Sequence, residues 1–171
     1  MIGGFYIAQT AAAVLLHELG HIASAALLGI PRRGISWRMS GALLTFDFSG
    51  ASYGREFIVH LAGPAVGMIS AVTAALLFRE FNVFIGASVL LAGVNLIPIR
   101  IFDGGAMLLC IMKILMPERI AEMICRAVSM AAGVLLYIAA VWIELHTAAD
   151  IGLIVFAVCV MLYGVLDANF Q

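Results

Sequence analysis

The residues best placed to do chemistry are His17, Glu18 and His21, in the run His17-Glu18-Leu19-Gly20-His21. Two histidines four apart stack on one face of a helix, about one turn from each other. Their imidazoles can converge on one metal ion, and a glutamate beside the first can reach a water at that ion. Zinc in such a site brings the pKa of a water towards neutrality. Glu18 would take a proton from that water and later pass it to a leaving amine, the work of a general base. The competing explanation is a chance match on an ordinary helix. It loses force here because Ile2 to Gly29 is apolar except for Gln9, Thr10, Ser24 and the motif itself. Two histidines and a glutamate in hydrocarbon are costly without a polar partner or a water-filled cavity.

A catalytic zinc typically takes three protein ligands and keeps one position open. Asp103 is the candidate for the third. It follows an interrupted apolar segment and precedes Gly104-Gly105, where the backbone can approach a site closely. A helix N-terminus at this point would keep its carboxylate ionised. The competing roles for Asp103 are to cap its helix or to pair with Arg100. Glu144, Asp150 and Asp167 lie near expected span ends and fit less well.

The elements that must position these residues are those of a membrane protein. Of 171 residues, 64% are hydrophobic and 11% charged, against about a quarter charged in a soluble domain. That leaves too little polar surface to coat a water-soluble globule. A net charge of -1 gives no nucleic-acid footprint. Cys110, Cys125 and Cys159 match neither a zinc spacing nor a disulfide framework and read as small buried hydrophobes. The first basic residue is Arg32, so no positively charged signal-peptide region precedes the first apolar segment.

The expected fold is all-α and polytopic, a single membrane-embedded domain over residues 1–171 with about five transmembrane segments. The first, Ile2 to Gly29, ends at Gly29-Ile30-Pro31. Between the first two spans, Gly34 to Arg38 and Ala42 to Phe48 read as a small β-hairpin. Leu44, Phe46 and Phe48 alternate there with Leu43, Thr45 and Asp47. The second span is Arg55 to Phe78. The fourth segment is broken: Val83 to Asn95 is apolar, Pro98 interrupts it, and Ala106 to Met116 resumes with Asp103 as the expected N-cap. Glu118 to Leu145 and Ala148 to Leu166 complete the set. Non-helical backbone at membrane depth survives only where protein or a water-filled cavity covers it, so the break itself hints at a site.

Loop charges orient these spans. Arg32, Arg33, Arg38 and Arg55 follow the first segment, and Lys113, Arg119 and Arg126 surround Met116. The turn from Glu144 to Asp150 has no Lys or Arg, and the turn at Arg79 has one. The positive-inside rule puts the two basic loops in the cytoplasm and the N-terminus outside. His21 then lies roughly 12 Å of helix from the cytoplasmic end. His60 also falls within a span, with a role at the site or a hydrogen bond between helices as equal alternatives. His146, Trp37 and Trp142 read as interfacial, and the methionines as core filler. The strand Ala42 to Phe48 either presents an extended substrate along its edge or shields the site.

These elements together resemble the site-2 protease family of intramembrane zinc metalloproteases. His17-Glu18-Leu19-Gly20-His21 looks like its first element, the run from Asn95 through Pro98 to Asp103-Gly104-Gly105 looks like its second, and Ala62-Gly63-Pro64 resembles a glycine-proline element between them. The resemblance implies that His17, His21 and Asp103 bind Zn2+, that Glu18 is the base, and that Asn95 holds the substrate backbone or the tetrahedral intermediate. It implies cleavage of a membrane-tethered protein within or next to a transmembrane segment, in the lipid bilayer. Without a PDZ or CBS domain the chain is most similar to the sporulation branch, which releases a sigma factor precursor. A bacterial source is expected, and a five-span core without accessory domains suggests control by another membrane protein. Three features depart from the family pattern: a leading transmembrane helix is missing, Gly67 stands where a polar residue is expected, and Ile101-Phe102 replaces a proline-rich approach to Asp-Gly. The alternatives are a non-proteolytic membrane chaperone or adaptor, which would not need Glu18, and a metal transporter, which would need neither Glu18 nor the Asp-Gly-Gly element.

Overall fold

The computed structural model describes residues 2–38, 41–147 and 152–167, with the side chains of 2–3, 35–38, 41–45 and 163–167 outside the description. Ala148 and Asp150, and the side chain of Trp37, therefore lie outside the described residues. The chain falls into two compact units, Met1–Leu96 and Ile97–Gln171.

The first unit contains α1 (Ile2–Leu27), β1 (Arg32–Arg38), β2 (Gly41–Phe46), α2 (Tyr53–Phe78) and α3 (Val83–Asn95). Gly29, at φ 69°, closes α1. Its N–H donates to the Ala26 carbonyl and the Ile30 N–H to that of Ala25, a glycine-terminated helix end that satisfies two otherwise orphaned carbonyls. Ile30 folds back into a small core with Ala25 and Val59, against which Phe46 and Phe48 pack. The two strands pair antiparallel from Arg32↔Phe46 to Arg38↔Gly41, with a register shift at Arg33. β2 stops at Phe46, before the expected Phe48; beyond it the Asp47 N–H donates to the Pro31 carbonyl at 2.8 Å and Asp47 Oδ1 accepts from the Ser49 N–H at 3.1 Å. The start of α3 is held from two sides. Asn82 Oδ1 accepts from the Ile85 N–H, and Gln9 Oε1 of α1 accepts from the Phe84 N–H.

The second unit contains α4 (Asp103–Leu115), α5 (Glu118–Thr147) and α6 (Gly152–Asp167). Pro117 starts α5, its carbonyl accepting from the N–H groups of Ile120 and Ala121. Lys113 of α4 pairs with Glu122 of α5 at 3.3 Å. The loop before α4 is tied down where the Arg100 N–H donates to Ser129 Oγ at 2.9 Å.

Among the described residues, three helices, α1, α2 and α5, are long and apolar enough to cross a membrane. α3 has 13 residues and α6 has 16. At 1.5 Å per residue, 13 residues reach about 20 Å, short of a hydrocarbon core of about 30 Å. The outward side chains suit hydrocarbon: Leu76 and Leu77 of α2 are each 73% exposed.

Candidate metal centre

His17 and His21 lie on α1 and are buried, with 3% and 7% of their surface exposed. Their rings meet edge to face with centroids 4.9 Å apart, and the two Nε2 atoms stand 3.2 Å from each other. His21 Nδ1 lies 2.8 Å from the carbonyl oxygen of Val59 on α2. A carbonyl can only accept, so this nitrogen carries the hydrogen, and the neutral ring presents a lone pair at Nε2. Metal-ligating histidines are held in this way, one nitrogen on an outer acceptor and the other turned to the ion. The donor set fits a cation: two buried imidazole nitrogens converge, and one already has its tautomer fixed.

The fit depends on a close approach of α1 and α2. A Cβ at Gly63 would run into the imidazole of His21, and one at Gly20 would run into the Ala62 carbonyl. Only a bare main chain leaves room for the His21 ring there. Glu18 follows His17 on α1 and is half-buried. His60, also half-buried, stands beside the pair, its ring centroid 6.4 Å from that of His21 and 5.6 Å from that of Phe48. Asn95 is the last residue of α3, and its Nδ2 donates to the Leu91 carbonyl at 2.9 Å.

In the second unit, Asp103 is half-buried at the first position of α4. The expectation that it caps this helix is corrected. Phe102 is the N-cap, with extended backbone at φ -103° and ψ 162°, and its carbonyl accepts from Gly105 and Ala106. Asp103 thus lies inside the first turn, where the helix dipole favours its ionised form. Gly104 and Gly105 are buried. A Cβ on Gly105 would strike the main chain at Ile99 and Arg100, so glycine is what lets the preceding loop fold back on the helix start. Of the other carboxylates, Glu144 is half-buried on α5, Asp167 ends α6, and Asp150 is outside the described residues.

The first unit thus brings His17, His21 and His60 together. Sequence reasoning missed the Val59 carbonyl, because a main-chain acceptor leaves no mark in residue type. The available signal was Gly63, whose place in a span asked for a close neighbour.

No protein-family model matches the sequence, and none of the curated proteins does. Among solved structures the chain is similar to "Site-2 Protease from Methanocaldococcus jannaschii" at 22% identity and a TM-score of 0.65, over 91% of this chain and 74% of that one. The chain therefore shares the fold of that site-2 protease.

Proposed function

We propose that the chain is an intramembrane zinc endopeptidase of the site-2 protease type, with His17, His21 and Asp103 holding the ion. The observation that carries this reading is the facing pair of buried Nε2 atoms, 3.2 Å apart, on an apolar helix that places Glu18 next in sequence. Two imidazoles and one carboxylate are a ligand set of catalytic zinc sites. The shared fold supports the same reading.

A bound zinc ion would polarise the scissile carbonyl and make a water more acidic. Glu18 accepts the proton of the attacking water and delivers it to the departing amine nitrogen. Asn95 would steady the substrate backbone once its amide leaves the Leu91 carbonyl. The substrate is a membrane-tethered protein cut within or next to its transmembrane segment, a sigma factor precursor being the one the resemblance to the sporulation branch points to. The edge of the β1–β2 sheet offers main-chain hydrogen bonds to a segment opened into extended form. In this reading α3 and α4 make one broken crossing, giving five with α1, α2, α5 and α6. The N-terminus is outside, the site is nearer the cytoplasm of a bacterial cell, and a membrane protein regulates access.

The test is co-expression with candidate membrane-tethered substrates, comparing wild type with Glu18→Gln. Cleavage should fall by about 10²- to 10⁴-fold, the usual size of a general-base contribution, while zinc content stays the same. Full cleavage by Glu18→Gln removes Glu18 from its role. Purified wild type without bound zinc removes the metal reading.

A further inference from the structure

α3 carries a buried hydroxyl that the chemistry above does not use. Ser88 is 1% exposed, and its Oγ has no hydrogen-bond partner among the described residues. Buried polar atoms are nearly always paired, with protein or with ordered water. The same stretch of α3 borders His17. At Gly67 on α2, the position a Cβ would take lies 3.7 Å from the Ser88 carbonyl oxygen, 3.7 Å from Ala92 Cβ and 4.0 Å from His17 Nδ1. Gly67 therefore leaves a notch that a methyl group would fill at ordinary contact distances, with a polar atom on each of two sides.

We infer that this notch binds one structural water that ties His17 Nδ1 to Ser88, and that Ser88 is thereby a positioning residue for His17. The water accepts from the Nδ1–H and donates to the Ser88 carbonyl and hydroxyl, three bonds being ordinary for a buried water. The inference rests on the metal reading, because it concerns which nitrogen of His17 keeps a lone pair. The tautomer of His21 is set directly by Val59. His17 has a choice. With its hydrogen on Nε2, it would donate to the lone pair of His21, and the two rings would close on each other. With its hydrogen on Nδ1, both lone pairs turn to one point. The Gly67 notch favours the second form. It also gives a use to the departure from the family pattern at Gly67: a larger residue there would fill the space.

Two substitutions test this in the full-length protein in detergent. Gly67→Ala places a methyl group at ordinary van der Waals distances, so it displaces the water without a clash, and alanine is the better helix former. Gly67→Ala should leave the metal-free protein at least as resistant to heat, yet bind Zn2+ about 10- to 100-fold less tightly in competition with a chromophoric chelator, the range for losing an outer partner of a ligand. Ser88→Ala should weaken Zn2+ in the same direction, and the double variant should lose no more than the worse single one, since both act through one water. Unchanged affinity in both single variants overturns the inference and leaves the metal reading standing. Losses that simply track lowered thermal stability, or that add in the double variant, also overturn it. A wild type that binds no Zn2+ overturns both.

Discussion

The two units hold their helices differently. In Met1–Leu96, α1, α2 and α3 each pack on both of the others, and main chains meet at Gly20 and Gly63 with no room for a side chain. In Ile97–Gln171, α5 packs on α4 and on α6. Its apolar stretch is 11% buried, against 28% for α1 and for α2. The difference teaches where positional precision is needed. Two imidazoles that must point at one spot are clamped by three mutually packed helices. The long helix α5 turns most of its surface outwards and tolerates a looser setting. Among the described glycines of the second unit, the tightest approach is at the start of α4, where Gly105 meets the loop at Ile99.

The sharpest way to break this contrast is to fill the cradle of His21. Gly63→Val should push the ring off the Val59 carbonyl and lower zinc affinity by about 100-fold or more, the upper range for losing a ligand's support. Metal content after purification reads this directly, and a variant that retains full zinc would mean that the close approach is dispensable. The corresponding change in the second unit, Gly105→Ala, forces a methyl group against main chain. It should cost about 1–3 kcal/mol, as overpacking generally does, in thermal unfolding in detergent. A neutral result would show that the start of α4 is as forgiving as the rest of its unit. Ser129→Ala leaves the Arg100 N–H without its acceptor and should cost about 1 kcal/mol, measured in the same way.

The smallest effect belongs to the exposed turn after β2. Ser49 holds the Asp47 carboxyl below the usual carboxylate range, its hydroxyl first and then its backbone N–H, with a further contribution from Arg33 at 3.2 Å. A lowered folded-state pKa means stability that is present at neutral pH and lost as pH falls through that value. Asp47→Asn should therefore lower Tm slightly at neutral pH, and the gap from wild type should close in acid. A gap that widens in acid would reverse the assignment.

Much of the first unit was legible in the sequence, because helix period and residue type carry the information. The four-residue spacing places His17 and His21 on one face wherever a helix forms, and Gly29 before Pro31 marks its end. The interruption between Asn95 and Asp103 was legible from Pro98. The cap at Phe102 was not, because it depends on which carbonyl the first turn selects rather than on side-chain chemistry. The outer acceptor of His21 and the notch at Gly67 were hidden for a related reason: both are properties of main chain seen from another helix. The number of crossings is harder to read, since α3, with 13 residues, is by itself too short to span a bilayer.

The hydrogen bond from His21 to Val59 joins residues 38 positions apart in the chain. During synthesis, the motif emerges and enters the membrane well before its acceptor exists. Until α2 follows, His21 has no carbonyl to fix its ring and α1 carries two loose imidazoles. On the proposed zinc reading, metal competence would then be acquired late, as a property of the paired helices rather than of the first one. A chain stalled after its first span would be a poor scavenger of zinc, and loading would report that the second span has been correctly placed.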